Sequence, residues 1–155
     1  MCHDPRVLLE RVTFVEASPA EVFAFFSRPE NLARITPPSL GFTIRELPPG
    51  GIRAGAKIVY RIRVAGLPLT WVTNIARWEP DRLFVDEQLR GPYRKWIHTH
   101  TFAPRDGGVE MQDRVEYALP FGILGRLFGG WFVRRRLAAI FDHREARIRE
   151  IFARP

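Results

Sequence analysis

The chain changes hydrophobic period three times. Residues 7–16, "VLLERVTFVE", mix apolar and polar positions as a first strand. "SPAEVFAFFSRPENLARITPP" then opens with Ser18 as N-cap, Pro19 at the first helical position and Glu21 at the third. This is a capping box, in which the Ser side chain and the Glu side chain each satisfy a backbone N–H at the helix start. Val22, Phe23 and Phe26 supply a buried stripe. Pro29 interrupts this helix, and a second turn around Glu30 to Arg34 must stop before Pro37 and Pro38, so two short helices are expected.

A two-residue period follows over 42–47, 57–66, 68–79, 83–89, 94–104 and 109–120, separated by the turn segments "PPGGIRAG", "AGLP", "EPDR", "RGPY" and "RDGG". Turns this short join antiparallel neighbours. From about Gly125 to Phe152 the spacing returns to three and four, with Val133, Leu137, Ile140, Phe141, Ile148, Ile151 and Phe152 on one face and Arg134, Arg135, Asp142, Glu145, Arg149 and Glu150 opposite. The expected class is α+β: a seven-stranded curved antiparallel sheet wrapped around a long C-terminal helix, with two short helices after the first strand, in a single domain over 1–155. The gap between sheet and helix is the natural ligand site.

Turn lengths assign partners across the sheet. A four-residue "RDGG" loop sets Pro104 against Val109, and hence Phe102 opposite Met111, His100 opposite Asp113, His98 opposite Val115 and Trp96 opposite Tyr117. A three-residue loop at "RGPY" sets Gln88 near Trp96, Asp86 near His98 and Phe84 near His100, unless a bulge at Gly91 moves every partner by one. "AGLP" pairs Ile62 with Trp71, Tyr60 with Thr73 and Ile58 with Ile75. The inner wall predicted for the cavity comprises Tyr60, Ile62, Trp71, Phe84, Trp96, His98, His100, Met111, Asp113, Tyr117, Trp131 and Leu137.

The chemistry of "RKWIHTHTF" has three readings. The histidines form a satisfied polar pair with Asp113 and Asp86, or they orient a ligand, or they hold a metal. The last is disfavoured because same-face strand neighbours diverge unless their rotamers converge, and no H-E-x-x-H signature is present; no metal and no cofactor is expected. If the cavity is catalytic, His98, His100, Asp113 and Tyr117 are the groups able to move protons. No nucleophile motif or phosphate-cradling loop accompanies them, and binding alone accounts for the wall.

Composition narrows the classes. At 155 residues and 46% hydrophobic content, the chain has enough apolar surface for one core with a cavity. Cys2 is the single thiol, which excludes an intrachain disulfide and a cysteine zinc site. The charged opening "MCHDPRVLLERV" lacks the apolar stretch of a signal peptide, and a cytoplasmic location is expected. The net charge of +7 is spread as arginine over the whole chain, with "RRR" at 134–136 the tight run. The aromatics alternate into the interior, whereas single-strand binders display them on an exposed basic face, so no nucleic-acid partner is expected.

"LPFGILGRLFGGWFVRRRLAAIF" holds more large apolar groups than one buried face needs. Its glycines predict an irregular start to the last helix. Leu124, Leu127, Phe128, Trp131 and Phe132 can gate the cavity mouth, pack on the N-terminal helices near Phe23 and Phe26, or bury in a homodimer. Alternatively, Trp131 and Phe132 with Arg134, Arg135 and Arg136 make transient contact with a membrane surface. Monomer and homodimer both remain open.

Three stretches carry a family resemblance: "SPAEVFAFFSRPENLARITPP", "RWEPDRLFVDEQLRGPYRKWIHTHTF" and "DRVEYALPFGILGRL". They resemble the START/polyketide-cyclase/birch-pollen-allergen superfamily, also called SRPBCC, over nearly the whole chain. The middle stretch looks like its bacterial ligand-binding branch. The resemblance implies the helix-grip fold and a hydrophobic or amphipathic small-molecule or lipid ligand, with two alternatives: a cyclase or aromatase using cavity His, Asp and Tyr groups, and a membrane-associated lipid-transfer protein.

Overall fold

The computed structural model describes residues 6–153. Seven strands form one sheet: β1 (Val7–Val15), β2 (Thr43–Glu46), β3 (Lys57–Val64), β4 (Leu67–Glu79), β5 (Leu83–Arg90), β6 (Lys95–Arg105) and β7 (Gly108–Ala118). Their order is β1-β7-β6-β5-β4-β3-β2, and every pair is antiparallel. Helices α1 (Pro19–Phe26) and α2 (Leu32–Ile35) follow β1, and α3 (Gly122–Phe152) closes the chain. This is the seven-stranded sheet, two short helices and long terminal helix that the periods predict. Cys2 lies outside the described residues.

Local rules place the elements. Ser18 Oγ accepts from Glu21 N at 3.2 Å while Ser18 N donates to Glu21 Oε2 at 2.8 Å, so the capping box forms as read. Gly107 sits at φ 80 in the turn after β6, and Pro104 pairs with Val109 as predicted, with one further pair, Arg105 and Gly108, closing the turn. Ala65 at φ 51 and Gly66 at φ 80 make a two-residue turn between β3 and β4, tighter than the "AGLP" loop assumed. The register there is corrected by two: Tyr60 faces Trp71, Ile58 faces Thr73 and Ile62 faces Leu69. A shift of two keeps every side chain on its face, so the inner wall survives.

The last helix also differs from expectation. It runs unbroken from Gly122, with Gly125, Gly129 and Gly130 inside it rather than in an irregular start. Its buried stripe, Leu137, Phe141, Arg144 and Ile148, lies on the inner face of β1 and β7. Two apolar clusters result: Val15, Val22, Phe23, Met111 and Ile148 at one end, and Leu9, Val115, Tyr117, Leu137 and Phe141 at the other. The helix therefore covers the β1–β7 edge solidly, and the hollow opens under β3 to β6.

Candidate functional site

The hollow is a cavity of about 430 Å³. Strand pleat supplies its wall: along β6, Trp96, His98, His100 and Phe102 are buried at alternate positions while their neighbours are only half-buried. Tyr60 stacks on Trp71 with ring centroids 6.0 Å apart, and Trp71 meets Trp96 edge-on at 5.3 Å. Thr73 Oγ1 accepts from Trp71 Nε1 at 3.1 Å and shares a 2.9 Å hydrogen bond with the Tyr60 hydroxyl. Phe84 stacks on His100 at 4.1 Å.

Of the residues predicted for the wall, Tyr60, Ile62, Trp71, Phe84, Trp96, His98, His100 and Leu137 line the cavity. Four do not. Met111 and Tyr117 are sealed under α3 in the two core clusters, because the helix sits directly on β7. Asp113 lies behind the histidines, 2% exposed. Trp131 is 72% exposed, on the part of α3 that lies outside the hollow. Leu124 and Leu127 share that exposure, which corrects the reading that these residues pack against the N-terminal helices of the same chain.

The polar end of the cavity is a closed set of five side chains. Asp86 faces His98 and Phe84 faces His100, as the "RGPY" register predicts. Beyond Glu87 and Ile97 the pairing stops, because the Gln88 side chain turns over the loop: Nε2 donates to Tyr93 O at 2.7 Å and Oε1 accepts from Tyr93 N at 3.3 Å. Gln88 is thus a loop clamp rather than a partner of Trp96.

His100 and Asp113 are backbone partners, as expected. The side-chain bonds, however, also run diagonally: His98 Nε2 is 2.9 Å from Asp113 Oδ1, and His100 Nε2 is 2.9 Å from Asp86 Oδ2. His100 Nδ1 is also 2.9 Å from Asp113 Oδ1. Arg144 Nη2 lies 3.3 Å from the same nitrogen, but a lone pair on Nδ1 would face the carboxylate oxygen at the shorter distance, which favours the tautomer with the hydrogen on Nδ1. The two rings converge to a centroid distance of 3.7 Å, against the divergence expected of same-face neighbours.

Arg144 completes the set from α3. Its Nη2 donates to Asp113 Oδ1 at 3.1 Å, and its guanidinium lies 5.0 Å over the Phe26 ring. The sequence reading passed over it. The signal was present: 137, 141, 144 and 148 share one helix face, and an arginine on an apolar stripe needs a buried partner. Among the described residues its Nε has no hydrogen-bond partner.

Burial raises the Asp113 carboxyl, but the Arg144 charge and the hydrogen bonds from His100 and His98 outweigh it and hold the group well below the ordinary carboxylate range. Burial likewise opposes Asp86, whose bond from His100 and neighbouring charges bring it down. His98 is pushed down by burial and by the charge on His100. His100 is pushed down by burial, yet the bonds and charges of Asp113 and Asp86 win and its net direction is up. With His100 protonated, the two carboxylates, the guanidinium and the imidazolium would sum to zero, a balance that favours burial. Burial also raises the Tyr60 phenol, followed by the charge on Asp86, so it stays protonated.

With the geometry in place, likeness to known proteins can be weighed. Residues 6–150 match the family model for polyketide cyclase / dehydrase and lipid transport. The chain belongs to that family. The chain shares its fold with a protein of unknown function, SA2116 from Staphylococcus aureus, at 12% identity, a TM-score of 0.74 and coverage of 98% of this chain and 96% of that one. The di-domain ARO/CYC StfQ from the steffimycin biosynthetic pathway aligns with a TM-score of 0.72 at 17% identity, over 97% of this chain and 51% of that one. Ara h 8.0201 aligns with a TM-score of 0.61 at 13% identity, over 93% and 98%. These identities carry the helix-grip fold alone. No curated protein matches the chain in sequence. No helix among the described residues is long and apolar enough to cross a membrane.

Proposed function

We propose that the chain binds a hydrophobic or amphipathic small molecule, of aromatic, polyketide-like or lipid character, in the cavity under α3. The observation that carries this reading is the cavity itself: about 430 Å³, walled by Tyr60, Trp71, Phe84 and Trp96, with polar groups gathered at one end. Small-molecule sites combine those features, in which apolar area supplies affinity and a few fixed polar groups orient the ligand. The family match supports the same reading. His98 and His100 are the wall groups that would fix a polar substituent, while the aromatic walls take the carbon skeleton. Native mass spectrometry of protein purified from its own host tests this: a co-purified organic molecule is expected. Protein that is consistently empty, and that ignores both fatty-acid and polycyclic aromatic probes, overturns it.

A second reading, loading of that ligand at an anionic membrane, is favoured by one observation. Phe121, Leu124, Leu127, Trp131 and Phe132 are 56–85% exposed at the start of α3, and Arg135 and Arg136 lie 5.5 and 5.7 Å over the rings of Trp131 and Phe132. Phe132 and Arg136 also line the cavity, so the exposed patch runs into its mouth. Basic groups near an anionic surface contribute about 1 kcal/mol each. Reversing Arg134, Arg135 and Arg136 to Glu should therefore weaken flotation with phosphatidylserine vesicles on the order of a hundredfold. Equal flotation of the reversed protein sinks this reading.

A further inference from the structure

The cavity's polar end has a feature that organic-ligand binding leaves unused. Asp113 Oδ1 is 2.9 Å from His98 Nε2 and 2.9 Å from His100 Nδ1. One buried carboxylate oxygen, itself held by Arg144, thus occupies one nitrogen of each imidazole. The opposite nitrogens, His98 Nδ1 and His100 Nε2, are turned toward Asp86 Oδ2, at 3.8 and 2.9 Å. One ligand atom from each of Asp86, His98 and His100 lies within 4.8 Å of the other two. Asp86, His98 and His100 all line the cavity, whereas Asp113 does not.

We propose that Asp86, His98 and His100 form a binding site for one divalent first-row transition-metal ion, with Asp113 as the positioning residue that orients both imidazoles and leaves the ion's remaining positions open to the cavity. Four arguments meet here. A metal-bound histidine nearly always donates its other ring N–H to a carboxylate or carbonyl, which fixes the tautomer and aims the lone pair, and here a single carboxylate does so for two rings. Two imidazoles and one carboxylate are a donor set that suits borderline ions such as Zn²⁺, Fe²⁺ and Co²⁺ and leaves coordination positions free.

The spacing also fits. Metal–nitrogen and metal–oxygen bonds of about 2.1 Å put neighbouring ligands about 3.0 Å apart at a right angle and about 3.4 Å apart at a tetrahedral one. The observed 2.9 and 3.8 Å bracket those values, so small rotations about the side-chain bonds close the triad. Finally, His98 is 94% buried, with a relative exposure of 6%, yet among the described residues no hydrogen bond reaches its Nδ1. That nitrogen faces the Asp86 carboxylate 3.8 Å away at the cavity wall, where a cation could bridge the two.

The ion would take the place of the hydrogen between His100 Nε2 and Asp86 Oδ2. With both histidines neutral, Asp86, Asp113 and Arg144 sum to one negative charge, and a divalent ion leaves one positive charge facing the cavity. An anionic oxygen on the bound molecule, or hydroxide, balances it. Arg144 keeps Asp113 in its orienting role, because the guanidinium partly neutralises that carboxylate and keeps it from competing as a second anionic ligand.

The site stands or falls without any organic ligand, so its test is separate from that of the cavity. The full chain, stripped with a chelator, is titrated with Co²⁺ and followed by visible ligand-field absorption and by proton NMR. One equivalent should saturate the bands, Zn²⁺ should abolish them, and two hyperfine-shifted imidazole N–H resonances should report the two hydrogens held by Asp113. Asp86→Asn and His98→Gln, checked for folding by circular dichroism, should lose the bands. Asp113→Asn should weaken Co²⁺ binding 10- to 100-fold while leaving one equivalent bound. Absence of saturable binding by the folded wild-type chain overturns the proposal. So do fewer than two shifted imidazole N–H signals, or bands that persist in folded Asp86→Asn. The NMR outcome is read on the wild-type chain and needs no variant to fold.

Discussion

One helix carries two opposite departures from the usual distribution of polarity. In the second half of α3, Arg144 is only 7% exposed, among Phe26, Phe141, His100 and Asp113. At its N-cap and in the first half, Phe121, Leu124, Leu127, Trp131 and Phe132 stand in solvent at 56–85% exposure. The buried charges are tolerated because they form a closed set, in which each carboxylate and each imidazole has a partner within the same five residues. The exposed apolar residues have no such compensation inside the fold; what they gain must come from outside it. A fold can balance charge internally, whereas an uncovered apolar face points to something beyond the chain. Both departures border the same cavity, one at its polar end and one at its mouth.

The widest break in this contrast comes from opening the closed set. Asp113→Ala leaves Arg144 buried without its carboxylate and frees both imidazoles. Removing one partner of a buried ion pair typically costs 3–5 kcal/mol, because the remaining charge is desolvated and uncompensated. We expect a loss on the order of 4 kcal/mol in urea denaturation of the metal-free chain. Adding Arg144→Met to the same protein should restore part of that loss, since the orphaned charge disappears. A double variant no more stable than Asp113→Ala would mean that Arg144 is not held by Asp113, and the comparison would fail at its buried half.

Much of this arrangement was legible in the alternation of "RKWIHTHTF" and in the "RDGG" turn. A period of two fixes the face, and the turn fixes the partner, so His100 opposite Asp113 followed directly. The β3–β4 register was off by two because the turn needs Ala65 in the left-handed region, which a non-glycine residue does not advertise. The diagonal hydrogen bonds were not legible, since side-chain rotamers lie below the resolution of a pleat argument. Nor was the fate of Met111 and Tyr117: strand period says which face is inner, but not which part of that face the helix will cover. Arg144 was legible and missed, since it stands in step with Leu137, Phe141 and Ile148. Trp131 went the other way, because a Gly-rich start to a helix gives no clear stripe to assign inward.

The exposed half of α3 can be sharpened with smaller effects, using two glycines one helical turn apart. At Gly125 an added Cβ would lie 2.0 Å from Pro120 O and 3.2 Å from Pro120 C. That contact is with backbone, so the helix start must shift from the 119–120 segment that lines the cavity mouth. Gly125→Ala should therefore be destabilising by about 1–3 kcal/mol, the range of an overpacked site, despite the gain in helix propensity. At Gly129 an added Cβ meets nothing within 4 Å. Gly129→Ala there only removes conformational freedom from the unfolded chain, and should stabilise by roughly 0.5–1 kcal/mol. Thermal unfolding of the two single variants reads the sign directly. If Gly129→Ala also destabilises, the first turns of α3 are not the open, solvent-facing helix on which the comparison rests. Opposite signs would establish that this helix is anchored at Gly125 by close backbone contact and stands free one turn later, where its apolar side chains face outward.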